Sequence, residues 1–372
     1  MRLLYVTDQL ALHGGIEKML ALKINHLISD YGYEVMLCTS EQRGRQFIYE
    51  INPGLRHTDL QIDYAREKSY FHPVNLVKSL RHYTRLRNLV KTFKPDVIIS
   101  VNYTPEQFFV PFIGPRIPKV KEFHSSGVTI DHGGGISGML KKKLFGLFAR
   151  YDAQVVLNRD ELQYYPFGKM SVIPNFIEQP SETFPEMKRD NVVLSAGRIA
   201  AVKQYDHLIM AWSRIADRVP DWSVAIYGEG QQAQVDLLQQ LINEHNIPRI
   251  RLAGATSELN REMRRASVFA MTSSSECFPM VLLEAQQNGL PILSYDCPNG
   301  PRNIIAKDED GWLTPAGEIG IFADQLLEII QNDALRLQRA QKASENVVRF
   351  NARNVMEQWQ VLFMNLVSEK NG

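Results

Sequence analysis

The stretch "SSSECFPMVLLEAQQNGLPILSYD", residues 273–296, decides how the chain is read. Small polar residues lead to Pro279, which suits the first turn of a helix. Val281, Leu282 and Ala285 make an apolar face, and Gly289 with Pro291 ends the helix before the strand-like run "PILSYD". A helix followed at once by a short apolar strand is part of a βαβ unit, the building block of parallel sheets covered on both faces. Two carboxylates interrupt the pattern. Glu276 falls in the loop before the helix, and Glu284 about a turn and a half inside it. Taken alone, Glu284 reads as a salt bridge on a partly exposed face.

The same alternation runs along the whole chain. "RLLYV", "EVMLCT", "DVIISV", "KVKEF", "AQVVL" and "SVIP" are expected strands of the first half, with "NVVLSAG", "SVAIYG", "RIRLAG", "SVFAMT", "PILSYD" and "GWLT" in the second. Between them lie helix-sized segments such as "VNLVKSLRHYTRLRNLVKTF", whose Leu76, Leu80, Tyr83, Leu86, Val90 and Phe93 form the expected buried stripe, opposite Lys78, Arg81, Arg85 and Lys91. The fold class is therefore α/β, with two doubly wound parallel-sheet domains. The polar segment "EQPSETFPEMKRD", with two prolines and no periodicity, sets the boundary near residues 178–190. We expect domains at 1–180 and 181–350, and a last helix, 351–372, returning to the first domain. Two such domains facing each other form a cleft, with ligands at the carboxyl ends of the strands.

At 372 residues the chain exceeds one ordinary core, in keeping with two domains. Its 44% hydrophobic and 22% charged content is that of a globular protein. The net charge of +1 conceals an asymmetry: residues 1–180 carry 23 Lys/Arg against 17 Asp/Glu, and the remainder 19 against 24. An anionic partner for the first half is one reading, a fluctuation the other. Cys38, Cys277 and Cys297 lack metal spacing and suggest a reducing compartment. Without a signal-like start or a run of ~18 apolar residues, the expected location is cytoplasmic, at most against a membrane face.

Three motifs fall at strand ends. In "TDQLALHGGIEKML", Gly14 and Gly15 open a helix, where backbone amides approach an anion, although many βα turns use glycine for its conformation alone. In "LSAGRIAAVKQYDHLI", Gly197 and Arg198 precede Lys203, five positions after the arginine. A planar guanidinium and a point-charge ammonium there suit a diphosphate, or are two solvated surface cations. The third motif is the opening stretch, whose helix start again favours phosphate and whose carboxylates would accept hydrogen bonds from sugar hydroxyls.

In this order the motifs resemble family 4 of the retaining glycosyltransferases, which have the GT-B fold of two facing Rossmann-like domains. The resemblance runs from "GGIEK" through "GR" and its lysine, "YGEG" and "SSSECFPMVLLEA" to "SYDCPNGP". It implies that Glu276 contacts donor-sugar hydroxyls, with Phe278, Met280 and Val281 beside sugar and phosphate, while Glu284 holds the ribose. Arg198 and Lys203 would neutralise the diphosphate, aided by Gly14 and Gly15. The base would sit near Gly228 to Gly230 and Ala253–Gly254. His124, in "KEFHSSG", matches a position where the family often has a histidine near the reacting carbon. Two departures stand out: Asn303 follows "GPR" where an acidic residue is usual, and Cys277 replaces the glycine after the first motif glutamate.

The implied reaction breaks an anomeric C–O bond with retention, using positive charge at the departing diphosphate and no metal or cofactor. "DED" at 308–310 reads as solvated loop, not a metal motif. A UDP-hexose or UDP-N-acetylhexosamine is the preferred donor, a GDP-sugar the alternative, and a glycan or lipid-linked acceptor for cell-surface polysaccharide or lipopolysaccharide the expected partner. An epimerase, a phosphorylase or a non-catalytic sugar-nucleotide sensor could share the architecture. Nucleic acid is disfavoured, for want of basic residues interleaved with stacking aromatics. "GMLKKKLFGLFARY" (138–151) is either a helix on an anionic membrane or an ordinary core helix.

Overall fold

The computed structural model describes residues 1–129, 143–165, 168–179 and 188–371. Two compact units emerge, Met1–Phe176 with Arg353–Gly372, and Ile177–Ala352. Part of the polar boundary segment, 180–187, lies outside the described residues.

The first unit is built on a parallel sheet in the order β3-β2-β1-β4-β5-β6-β7. Its strands are β1 (Arg2–Thr7), β2 (Glu34–Thr39), β3 (Arg56–Asp59), β4 (Val97–Ser100), β5 (Lys119–Glu122), β6 (Ala153–Val156) and β7 (Met170–Val172). Six of them are the apolar runs of the sequence. The seventh, β3, reads "RHTD" and forms at the sheet edge by backbone pairing to β2, half exposed and without apolar residues. Helix α1 (Gly15–Ser29) follows β1 and α2 (Pro73–Phe93) follows β3. α2 starts where the His72 imidazole accepts from the Val74 amide and Pro73 supplies a preset φ, and it stops at Lys94 in the left-handed region. Its buried face is Asn75, His82, Leu86, Val90 and Phe93. Leu76 and Leu80, expected in the buried stripe, are exposed instead. The helix spends Asn75 on the carbonyls of Ala65, Lys68 and Ser69, which turns its first two turns the other way.

The second unit has a parallel sheet in the order β10-β9-β8-β11-β12-β13. These are β8 (Val192–Ala196), β9 (Ser223–Tyr227), β10 (Ile250–Gly254), β11 (Val268–Met271), β12 (Ile292–Tyr295) and β13 (Gly311–Thr314). The helices α3 (Tyr205–Ile215), α4 (Gln232–Glu244), α5 (Met280–Gln287), α6 (Ile319–Gln331) and α7 (Asp333–Asn346) connect or cover them. Trp212, Tyr295, Phe322 and Leu326 centre its core. Strand order reverses between β8 and β11, so the crevice beyond their carboxyl ends is where a ligand fits a doubly wound sheet. The opening stretch spans this point. Pro279 is the N-cap of α5 rather than inside it, and Gly289, at φ 61°, closes the helix as the Leu290 amide reaches the Ala285 carbonyl.

The last helix, α8 (Ala352–Asn371), lies almost wholly in the first unit, where Trp359 and Phe363 are buried. Asp310 corrects the reading of "DED" as solvated. It is buried and accepts from Gln286, 3.1 Å away, and from Asn346, while its neighbours Asp308 and Glu309 are exposed.

Candidate functional site

In the second unit the loops after β8 and β9 are packed so closely that glycine is required. The Gly197 amide donates to the Tyr227 carbonyl and the Gly228 amide to the Gly254 carbonyl. A Cβ on Gly228 would sit 1.9 Å from the Gly197 oxygen, and one on Gly230 2.2 Å from that of Ile199. Gly197, Gly228 and Gly254 thus come side by side at three adjacent strand ends, leaving backbone where side chains would otherwise stand.

Across the switch point, the loop after β8 is clipped to the loop after β11. The Thr272 hydroxyl donates to the carbonyls of Lys203 and Gln204, and the Ser274 amide to that of Val202. This brings together two residues 73 positions apart: Lys203 Nζ lies 2.5 Å from Glu276 Oε1, with side chains 19% and 15% exposed. The backbone of Glu276 is fixed independently. Its amide donates to Pro298 O, and its carbonyl accepts from the amides of Asn299 and Gly300. Arg198 is exposed beside this pair in sequence, just past the end of β8. Tyr205, buried beneath, donates to the Gly197 carbonyl. Burial first, and the Glu276 charge second, raise its pKa, so it remains a donor. The Cys297 thiol is pushed up to about 12 by burial, with Glu276 adding to the effect.

The remaining residues of the opening stretch divide by role. Phe278 is buried, edge-to-face on Phe350 at 5.5 Å, so its side chain anchors the loop. Cys277 is buried too, and its carbonyl would lie 3.1 Å from a Cβ at Gly300. Met280 and Val281 form the half-buried first turn of α5, and Glu284 is half-buried one turn further on. Asn303, where an acid was expected, donates through its side chain to the Asn299 carbonyl and braces the turn next to Glu276.

The first unit places Gly14 as the N-cap of α1 and Gly15 as its first residue. Neither has a positive φ, and a Cβ on Gly15 would meet nothing within 4 Å. The Glu17 carboxylate folds back over this helix start, 2.1 Å from where a Gly14 Cβ would be, and is held by Gln9 at 2.8 Å. Burial raises its pKa. An anion at these amides would have to displace that carboxylate.

His124 follows β5 with its side chain only 5% exposed, and its Nε2 lies 2.9 Å from Glu122 Oε2. The same oxygen receives Lys23 Nζ at 2.6 Å, and that ammonium sits over the Trp359 ring at 3.8 Å. Burial alone would raise the Glu122 pKa, but Lys23 and His124 outweigh it and hold the carboxyl down at about 2. Burial lowers the His124 pKa, which favours the neutral ring. The sequence reading missed this cluster, although its signal was present: Lys23 lies on the apolar face of α1 with Met19 and Leu27, and "KVKEF" sets charges in a central strand. Also missed was a cavity of about 380 Å³ near the ends of β1 and β2, lined by Asp8, Glu41, Arg43, Arg45 and Arg66 among others. There Arg66 bridges Asp8 at 2.6 Å and Glu41 at 3.0 Å. Of the stretch 138–151, residues 138–142 lie outside the described residues. Phe148 is buried against Phe108 and Phe123, as an inward-packing segment requires.

Residues 177–346, nearly all of the second unit, match the family model for glycosyl transferases group 1. With the two parallel sheets, this match supports a glycosyltransferase of GT-B fold. The fold is shared over almost the whole chain with the TarM mutant of S. aureus solved in complex with fondaparinux, alpha-GlcNAc-glycerol and UDP, at a TM-score of 0.76, 15% identity, and 97% of this chain covering 99% of that one. Among relatives, the amylovoran biosynthesis glycosyltransferase AmsD of Erwinia amylovora is 24% identical over 96% of this chain and 98% of its own. An exopolysaccharide phosphotransferase of Streptomyces coelicolor is 32% identical over 59% of this chain, but the match spans only 24% of that longer protein.

Proposed function

We propose that the chain transfers a sugar from a UDP-hexose or UDP-N-acetylhexosamine to a glycan or lipid-linked acceptor of a cell-surface polysaccharide, with retention of configuration and without a metal ion. The observation that carries this reading is the Lys203–Glu276 pair at the switch point of the second unit. A cation and a carboxylate held there, next to an exposed Arg198, match the two ends of a sugar diphosphate. Lys203 and Arg198 face the phosphates, where negative charge grows as the anomeric C–O bond breaks. Glu276 orients the sugar through its hydroxyls, and Glu284, one turn into α5, takes the ribose. We assign the base to the backbone around Gly228 and Gly254. The acceptor hydroxyl attacks from the face the diphosphate leaves and gives its proton to that departing diphosphate, and His124 is the residue of the first unit that we assign to the reaction. We assign the acceptor to the Asp8–Glu41–Arg66 cavity of the first unit.

The names of the relatives support a polysaccharide acceptor, and the UDP in the TarM complex supports the nucleotide. A thermal-shift panel tests the donor. At a hundred times its Kd a nucleotide that binds only the fold adds about 2.7 kcal/mol, a shift of roughly 5–10 °C in a unit of this size. UDP should win over GDP and ADP, UDP-sugars should then be turned over in the presence of chelator, and proton NMR should find the product anomer retained. A flat panel refutes the reading. A win for GDP refutes the nucleotide while leaving the reaction class.

A further inference from the structure

His124 is held through one nitrogen only. Its Nε2 lies 2.9 Å from Glu122 Oε2, and among the described residues Nδ1 has no hydrogen-bond partner. The same carboxylate is the counter-ion of Lys23 on α1, 2.6 Å away, and the side chains of Lys23 and Glu122 are 4% and 2% exposed. A carboxylate that keeps its charge can only accept hydrogen bonds. Nε2 must therefore carry the ring proton, and that bond decides what the other nitrogen can do. Lys23 acts on the same ring. Burial, with Lys23 and Lys121, keeps the His124 pKa below its ordinary value against the pull of Glu122. Around the pair, Trp359 of α8 covers the ammonium. The Tyr5 phenol of β1, its pKa pushed up by burial and by the Glu122 charge, stays neutral.

We infer that Lys23 and Glu122 are positioning residues for His124, fixing a neutral ring with its proton on Nε2 so that Nδ1 offers a lone pair to a hydroxyl of the bound sugar substrate. The two residues do different things. Glu122 selects the protonated nitrogen by accepting from it. Lys23 cancels the charge of that carboxylate. Alone at 2.9 Å, the carboxylate would draw a second proton onto the ring, and Nδ1 would turn from acceptor into donor. The ring takes a hydrogen bond and not the proton, which the proposed reaction gives to the diphosphate. The hydroxyl contact rests on that proposed reaction, whereas the protonation of the ring stands apart from it.

The test is heteronuclear NMR of the full chain labelled at its histidine nitrogens, with His124→Gln assigning the signal. In the wild type Nε2 should carry hydrogen and Nδ1 should be bare from about pH 6 to about pH 8, a range in which an ordinary imidazole titrates. Lys23→Met, which keeps a long side chain under Trp359, should put hydrogen on both nitrogens near neutral pH. The same variant should lose about tenfold in kcat/KM there. The ratio of variant to wild-type rate should then climb as pH rises and the ring sheds its extra proton, whereas a purely structural loss would leave that ratio level. A proton on Nδ1 in the wild type, or a Lys23→Met ring that stays neutral, would overturn the inference, and a level ratio would remove the hydroxyl contact. The wild-type spectrum decides the state of the ring even if the variant unfolds. It does so too if no UDP-sugar is turned over, a result that would sink the transferase reading alone.

Discussion

Replacing Lys203 with alanine separates a catalytic cation from a structural one. Its ammonium lies 2.5 Å from Glu276 Oε1, with about four fifths of each side chain withdrawn from water. Unit charges 4 Å apart at an effective dielectric near 20 interact by about 4 kcal/mol. A diphosphate brought to this ammonium gains by a similar amount, and gains more as its bond to the sugar breaks. Arg198 remains in the variant and water enters the gap, so a loss of about 3 kcal/mol is expected, on the order of 10²-fold in kcat/KM. Folding should suffer less. Glu276 keeps partial contact with solvent and all its backbone bonds, so losing one partner costs about 1–2 kcal/mol, or roughly 2–8 °C. Initial rates over a range of donor concentrations, with thermal unfolding in parallel, measure both. Lys203→Arg should restore part of the rate, since it keeps the charge. Turnover of the alanine variant within about threefold of the wild type, or a loss that simply tracks the unfolded fraction, refutes the placement of Lys203 at the leaving group.

Gly228→Ala should destabilise the second unit by at least about 2 kcal/mol, because the new methyl meets the Gly197 oxygen at 1.9 Å and the φ of 153° disfavours any side chain. An unchanged unfolding temperature would contradict that close approach. Glu122→Gln leaves Lys23 buried without its counter-charge, at a cost of about 3–5 kcal/mol near neutral pH. Because the fold lowers the Glu122 pKa from 4.5 to about 2, its stabilisation is full above 4.5 and lost as pH falls toward 2. Urea unfolding across that window should slope steeply in the wild type and less in the variant. Equal slopes refute the assignment.

Most of the sheet was legible because buried parallel strands are short, near-continuous apolar runs that recur between helix-sized segments, although β5 carries charges within its run. β3 escaped because an edge strand that pairs through backbone alone leaves no apolar signature in "RHTD". The face of α2 was misread for a related reason. Apolar residues occur almost all round its first three turns, and polar anchors fix which side turns inward: Asn75 tied to three loop carbonyls, and Ser79 and His82 bonded to Tyr64. Within the site, Lys203 and Glu276 belong to no common spacing. Their meeting follows from topology, since β8 and β11 are neighbours across the reversal of strand order. The clips from Thr272 and Ser274 could not be read, because "TSSS" looks like any polar loop until its partners are known.

A charge on an apolar face was the first clue in this sequence, and the fold answers it differently in its two units. Lys23 in the first unit is matched inside the protein, by Glu122 and the Trp359 ring, and is withdrawn from water together with its carboxylate. Among the described residues, the side chains of Lys203 and Glu276 are hydrogen-bonded to each other alone, and they stay in partial contact with water. A ligand can break such a pair at little cost if it supplies both halves of the replacement, phosphate oxygens for the ammonium and hydroxyls for the carboxylate. A nucleoside diphosphate supplies the first alone. The difference in thermal shift between UDP and its sugar conjugate therefore reads Glu276 directly, and Glu276→Gln should shrink that difference while leaving the response to UDP in place.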